Sequence, residues 1–322
     1  MGATEIFTIT LGKMLYLLAF ILLGYLLCRF RLLKDEAVQW LSRLVTTLLL
    51  AILVFNSFYA YFSIDKLKES FQYLALHLGG LVLMALFGYL LVKKQELGGK
   101  CLGPWLAGCL FPNVGYIGLA VVQSVYAHPD FIQDQAEAIL YSGVAIILTN
   151  LLLGSLAEPL IQHFAGVAQE EKRPFRKVLF SPAMIGFLAG LALQLFRLPL
   201  PAIAHQGLVL AGKATAPLAM IIIGCKLFSC CLKEIFGDKK LYAICTVKLV
   251  AFPVIIYWLG SLVCSNRTML MILAIMLSCP AVSILTIYAG SCGGDDRWCT
   301  RAVFLSTLLS AITIPLVLLI LG

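Results

Sequence analysis

The sequence predicts an all-α integral membrane protein of ten transmembrane helices, arranged as two inverted repeats of five. The chain of 322 residues is 61% hydrophobic and 12% charged, whereas soluble proteins are about 45–50% apolar and about 25% charged. Its apolar runs are long enough to cross a bilayer. Two of them, one in each half of the chain, are interrupted near their centres. Paired interruptions of this kind are typical of inverted repeats.

The first interrupted run covers residues 104–127, and its centre reads Phe-Pro-Asn-Val-Gly-Tyr-Ile-Gly at 111–118. Proline, asparagine and two glycines at mid-membrane depth should break the helix. Lipid tolerates a broken helix only where the freed backbone groups are buried in protein or line a wet cavity. The break is therefore a candidate binding site, and its candidate residues are Pro112, Asn113, Gly115 and Tyr116.

The second interrupted run covers residues 268–290 and contains Leu-Ser-Cys-Pro-Ala-Val-Ser at 277–283. It again places a proline among small and hydroxyl-bearing residues in mid-membrane. Interrupted spans at corresponding places in the two halves are the best sequence indication of a binding site between repeats. Pro280 and Ser283 join the candidate site on this basis.

The charge distribution predicts the orientation of the chain. Spans are expected near 6–28, 38–61, 70–92, 104–127, 138–162, 180–197, 203–228, 241–264, 268–290 and 300–321. Sixteen Lys and Arg residues lie in or beside the loops on one side, against five on the other (Lys13, Lys66, Lys68, Arg197 and Arg267). Because cytoplasmic loops are enriched in Lys and Arg, both termini are predicted on the non-cytoplasmic side of the cytoplasmic membrane.

The longest loop divides the chain into a first repeat at 1–162, a cytoplasmic linker at 163–179 and a second repeat at 180–322. Five is an odd number of spans, so the second repeat enters the membrane in the opposite sense to the first, as an inverted repeat requires. Gly186 and Gly190 have the spacing of a close helix-packing face.

Several other classes of protein are not indicated. The net charge of +8 comes from short basic clusters between apolar runs, which indicates topology and not a nucleic-acid surface. The eleven cysteines show no paired metal spacing, so no disulfide framework, metal site or cofactor is expected. Enzyme motifs are absent, and we expect no enzyme. Acidic residues are missing from the middle of every span, and the four histidines (77, 128, 163 and 205) are expected toward span ends, so no proton relay is predicted.

Four stretches together resemble the auxin efflux carrier family, which includes plant PIN carriers and bacterial malate and malonate permeases. They are residues 111–119, Ala-Pro-Leu-Ala-Met-Ile-Ile-Ile-Gly-Cys-Lys-Leu at 216–227, Ser-Cys-Pro-Ala at 278–281 and Leu-Ala-Ile-Leu-Val-Phe-Asn-Ser at 50–57. The resemblance implies that the fourth and ninth helices are broken and cross at mid-membrane, as in bile-acid symporters and sodium/proton antiporters. Two positions depart from the family. Ala120 follows Gly118-Leu119 where members commonly have Gly-x-Pro, and Ala51 stands where many have proline.

The expected function is secondary transport of a small organic anion, such as a mono- or dicarboxylate, by alternating access. Half-helix N-termini favour a carboxylate, and the resemblance implies that the Asn113 amide contacts it. Lys213 is predicted to attract the substrate or gate its passage, and Lys248 is a second intramembrane lysine. Membrane lipid is an expected partner, nucleic acid is not, and coupling to protons or sodium and a homodimer stay open. The alternatives are a sodium-coupled symporter of the bile-acid type and a membrane sensor that binds without transporting.

Overall fold

The computed structural model describes residues 3–62, 66–93, 98–167, 182–228 and 237–321. This part of the chain is helical, and its one β-type pairing is an isolated bridge between Pro112 and Ala281. The α-helices are α1 (Ala3–Arg29), α2 (Asp35–Leu44), α3 (Leu50–Tyr61), α4 (Leu67–Lys93), α5 (Gly99–Leu110), α6 (Leu119–Val125), α7 (Gln135–Ala165), α8 (Pro182–Leu195), α9 (Ala202–Phe228), α10 (Lys239–Thr246), α11 (Phe252–Ser261), α12 (Arg267–Leu277), α13 (Leu285–Ser291) and α14 (Asp296–Leu321).

The predicted membrane character is confirmed. Within the described residues, six helices are long and apolar enough to cross a membrane: Asp35–Ala60, Lys68–Lys93, Phe131–Ala165, Ala202–Cys225, Lys239–Ser261 and Asp296–Leu321. Shorter apolar helices cover Leu18–Arg29, Val114–Val125, Pro182–Leu195 and Arg267–Leu277. Each of these segments overlaps a different span predicted from the sequence.

Both predicted helix interruptions are present. Helix α5 ends at Leu110, and a π-helical turn at Val114–Gly118 leads into α6. Helix α12 ends at Leu277, and α13 begins only at Leu285. The proline in each gap favours the break, because it has no N–H for the helical ladder and clashes with the preceding turn. Proline does not end every helix, since α9 and α14 continue through Pro217 and Pro315.

Two further π-helical turns interrupt long helices without ending them. One, Val45–Leu49, joins α2 to α3, and the other, Val247–Ala251, joins α10 to α11. A π-turn inserts one residue into the helix and is often found at functional sites. The second of these turns contains Lys248.

Glycines allow two pairs of helices to touch backbone to backbone. A Cβ at Gly24 of α1 would lie 2.0 Å from the Ile221 carbonyl oxygen of α9. On α8, a Cβ at Gly186 or Gly190 would lie 2.2 or 2.5 Å from a carbonyl oxygen of α3. The small-residue spacing that predicted close packing of α8 is therefore confirmed. Helix α1 packs on α9 in one contact, and α8 packs on α3 in the other.

Helices α4, α5, α7, α12 and α14 pack around the two interruptions. The described cysteines are free thiols (Cys28, Cys101, Cys109, Cys225, Cys245, Cys264, Cys279, Cys292 and Cys299). Helix α7 continues to Ala165, and most of the predicted linker at 163–179 lies outside the described residues.

Candidate functional site

The two helix interruptions meet and form a short antiparallel pair. The Asn113 N–H donates to the Pro280 carbonyl at 2.7 Å, and the Val282 N–H donates to the Phe111 carbonyl at 3.1 Å. These bonds flank the bridge between Pro112 and Ala281. In a bridge flanked in this way, the N–H of the bridged residue points away from the partner segment. Pro112, which has no N–H, therefore costs the pair no hydrogen bond. We call this pair of interruptions the crossover.

Asn113 is the most constrained residue of the crossover. Its side chain is 3% exposed, and its Oδ1 accepts a bond from the Tyr116 N–H at 3.4 Å, capping the π-turn. Its own carbonyl accepts from Ile117 and Gly118, both at 3.1 Å. The amide nitrogen Nδ2 is buried and has no partner among the described residues. An unsatisfied buried polar group costs about 1–3 kcal/mol, so Nδ2 is a donor available to a ligand.

The π-turn that follows Asn113 contains a second polar group without a partner among the described residues. The Tyr116 side chain is half-buried, and its hydroxyl is buried without a partner in the described structure. Gly115 is not sterically required, since a Cβ there would make an ordinary 3.4 Å contact with Leu50. Gly118 is more crowded, because a Cβ there would lie 2.7 Å from the Met276 sulfur and 3.0 Å from the Cys279 sulfur, so alanine would require these side chains to move.

At the second interruption, side-chain hydroxyl and thiol groups bond to backbone carbonyls. Beyond α12, the Ser278 hydroxyl and the Cys279 thiol both bond to the Ile275 carbonyl, at 2.8 and 3.3 Å. Ser283 is half-buried, and its carbonyl accepts from the Thr286 hydroxyl at 2.9 Å. Pro280 is buried and supplies the carbonyl that Asn113 contacts.

Lys248 reaches the crossover from the π-turn between α10 and α11. Its side chain is 1% exposed, and its Nζ donates to the Cys279 carbonyl at 2.7 Å. Cys279 follows the C-terminal end of α12, where a positive charge offsets the helix dipole. In the described part of the chain, no carboxylate lies within ion-pair distance of Nζ. A buried ammonium without a carboxylate is available to an anion.

A small cavity of about 10 Å³ lies beside Lys248. Its walls include Pro104, Trp105, Ala281 and Trp298, and the rings of the two tryptophans meet edge to face at 6.3 Å. The Trp105 indole also donates to the Gly88 carbonyl at 3.1 Å. A cavity of about 10–15 Å³ holds one water molecule, so this conformation is closed around the lysine.

The structure pairs Pro112 and Asn113 with the stretch around Pro280, but it places Lys213 elsewhere. Lys213 is exposed on α9, a helix that packs against the π-turn Val114–Gly118. The sequence interpretation gave too little weight to Lys248, although its position seven residues inside the predicted span 241–264 was a signal. It also left Gly118 out of the candidate residues. No cluster of three His, Cys, Asp or Glu side chains that could hold a metal is found among the residues described.

His77 is a correction to the sequence interpretation, which expected every histidine toward a span end. It lies ten residues into α4, and its side chain is fully buried. Hydropathy alone started this span at residue 70, because Lys68 and Glu69 occupy the first turn of the helix.

Comparison with known proteins decides the family. The family described as "Membrane transport protein" matches residues 9–318, which is nearly the whole chain. The chain belongs to this family. The match confirms the resemblance to the auxin efflux carrier family that the sequence motifs indicate.

A relative in Methanothermobacter thermautotrophicus is 24% identical to this membrane transport family member over 318 residues. The alignment covers 98% of this chain and 97% of the relative, which is described as an uncharacterized transporter. The likeness therefore extends over both halves of the chain and both interruptions. Together, the family and the relative show that this chain is a membrane transport protein.

Proposed function

We propose that this protein is a secondary transporter of a small organic anion, a mono- or dicarboxylate, working by alternating access. One observation carries the proposal. At the crossover, Asn113 Nδ2 has no partner among the described residues, and the Asn113 N–H bonds to Pro280, the residue after the Cys279 whose carbonyl Lys248 contacts. A neutral donor and an ammonium at mid-membrane would suit a carboxylate.

Ten spans in two inverted repeats, 1–162 and 180–322, form the architecture of this proposal. The glycine contacts support it, because α1 on α9 and α8 on α3 have the relation that exchange of two such repeats would produce. The antiparallel pairing of the two interruptions also supports it. The charge bias of the loops supports a cytoplasmic-membrane location with both termini outside.

The proposed site divides the work between positioning and binding. Pro112 and Pro280 break their helices, and Gly115 leaves room beside the turn. Asn113, Tyr116 and Ser283 provide polar groups for the substrate, with Lys248 as the fixed charge. Lys213 is proposed to attract the anion from the exposed face of α9, without contacting it at the crossover.

The closed cavity supports a mechanism in which helices move to admit the substrate. A volume of about 10 Å³ beside Lys248 cannot hold a dicarboxylate. Entry of the substrate therefore requires that the helices around the crossover separate from their neighbours on one side. Trp105 and Trp298 form part of the cavity wall in this conformation and would separate when it opens.

The test is flux in proteoliposomes containing the full chain. Labelled malate, malonate and indole acetate are offered in turn under imposed pH, sodium and voltage gradients. Accumulation of one acid is the expected result, and the gradient that drives it identifies the coupling ion. If an acid binds the purified protein but none crosses under any gradient, transport is excluded and the sensor interpretation takes its place.

A further inference from the structure

We propose that His77 is the proton-binding site of this transporter, so that anion movement is coupled to protons. The proposal rests on the transport activity proposed above and names its coupling ion. The first observation is how far His77 lies from the start of its helix. His77 lies ten residues after the start of the 27-residue helix α4, which places it about 15 Å along the axis at 1.5 Å per residue. An ionisable side chain at this depth is expensive to place and is functional by default.

The His77 ring has one weakly held nitrogen and one free nitrogen. Nε2 lies 3.4 Å from the Thr149 hydroxyl of α7. Nδ1 is buried without a partner among the described residues. The ring stacks on Tyr73 of its own helix, with 5.7 Å between centroids. Since neutral imidazole has one protonated and one bare nitrogen, the ring can accept a proton without breaking a strong bond.

The groups that face His77 and its stacking partner come from several elements. Helix α7 contributes Thr149 and Tyr141. The second interruption contributes Cys279, whose thiol lies near Tyr73. Near Gly80, one turn along α4, helices α12 and α11 present apolar Leu273, Leu277 and Ile256. No carboxylate or cation hydrogen-bonds the ring in the described structure, so His77 itself would carry the charge.

A row of polar side chains extends from the start of α4 to His77. The Tyr141 hydroxyl donates to Glu69 Oε2 at 3.1 Å, and Lys66 pairs with Glu137 close by. The Tyr141 ring stacks on Tyr73 at 5.1 Å, and the Tyr73 ring stacks on His77. The Tyr73 hydroxyl is buried and has no partner among the residues described.

The proton reaches His77 from the outer solution in successive transfers. A proton from the outer solution passes to the Glu69 carboxylate, then through the Tyr141 and Tyr73 hydroxyls to His77 Nδ1, giving an imidazolium. The Tyr73 hydroxyl and His77 Nδ1 have no partner in the described structure, so the proposed path requires a water molecule on either side of the Tyr73 hydroxyl. The proton leaves His77 when the site opens to the other side. No bond other than N–H and O–H bonds forms or breaks.

Coupling follows from the position of Tyr73. It lies near Cys279, whose carbonyl accepts the Lys248 hydrogen bond. A positive charge on His77 would therefore lie near the crossover and favour an anion bound there. Binding of the anion and binding of the proton strengthen each other by the same factor.

The experiment uses the full chain in proteoliposomes and whichever of malate, malonate or indole acetate gives flux. With the membrane voltage clamped at zero, one proton per anion predicts about tenfold accumulation for each unit of imposed pH difference. A pH-sensitive dye trapped inside should report acidification as the anion enters. His77→Gln should lose both signals and retain exchange of labelled for unlabelled anion. His163→Gln, at the exposed end of α7, is the matched control and should behave as wild type.

Tyr141→Phe is the second variant, because it removes the hydroxyl that contacts Glu69 and keeps the ring that stacks on Tyr73. It should slow the proton signal even if His77→Gln fails to fold. Wild-type flux without proton movement, or full proton coupling in folded His77→Gln, would overturn the His77 proposal and leave transport intact. Absence of flux for all three acids would overturn the transport proposal and this one with it.

Discussion

Replacing Lys248 by methionine should weaken binding of the anion without lowering the stability of the protein. The change removes the hydrogen bond from Nζ to the Cys279 carbonyl, whose residue is fully buried. Leaving that carbonyl unsatisfied costs about 1–3 kcal/mol. The same change removes a buried ammonium that has no carboxylate beside it in the described structure, and relief of its desolvation is worth several kcal/mol. We therefore expect the unfolding temperature to stay the same or to rise.

Transport should respond in the opposite direction. A hydrogen bond to a charged group contributes about 1.5–3 kcal/mol, which corresponds to about 10- to 100-fold in affinity. The KM for the transported acid in Lys248→Met should increase by that factor. Labelled uptake in proteoliposomes measures it, with Lys93→Met, at the exposed end of α4, as the control. An unchanged KM in a folded Lys248→Met protein would refute the assignment of Lys248 to the anion.

The remaining predictions concern close packing. Gly118→Ala places a Cβ 2.7 Å from the Met276 sulfur, whereas Gly115→Ala makes only a 3.4 Å contact; overpacking of this kind costs about 1–3 kcal/mol, so thermal melts should show a loss for Gly118→Ala alone. Gly24→Ala places a Cβ 2.0 Å from a backbone oxygen of α9, whereas Gly12 has nothing within 4 Å. Gly24→Ala should lower the unfolding temperature and the yield of folded protein, and equal melts for Gly24→Ala and Gly12→Ala would contradict the packing of α1 on α9.

The helix interruptions were predictable because their cause is local. Pro112 lies beside an asparagine and near two glycines, Pro280 lies among small and hydroxyl-bearing residues, and both spans break there. Proline alone does not break a span, because α9 and α14 continue through Pro217 and Pro315. The close contact of α8 was predictable for a similar reason, since Gly186 and Gly190 fall on one helix face. In these cases the residues that set the structure lie within a few positions of one another.

The partners of the crossover were not predictable in the same way. Lys248 contacts a carbonyl 31 residues away, and that carbonyl is free only because α12 ends before it. The depth of His77 depends on the polar first turn of α4, which hydropathy assigns to a loop. Pairing of Pro112 with Ala281 joins the two halves of the chain. Sequence patterns indicate which segments are unusual, but tertiary packing decides which backbone groups they meet.

The most direct test of the central claim compares two asparagines. Asn113 Nδ2 at the crossover has no partner among the described residues, whereas Asn56 Nδ2 donates to the Leu208 carbonyl at 2.8 Å and joins α3 to α9. The atom of Asn56 that lacks a partner in the described structure is its acceptor, Oδ1. Asn113→Asp keeps the oxygen that caps the π-turn and replaces the free donor by an acceptor. Asn56→Ala removes a structural bond worth about 1 kcal/mol.

Uptake of the transported acid should disappear in Asn113→Asp and persist in Asn56→Ala, with both proteins folded by gel filtration. Saturable uptake in Asn113→Asp with the wild-type KM would contradict a substrate site at the crossover.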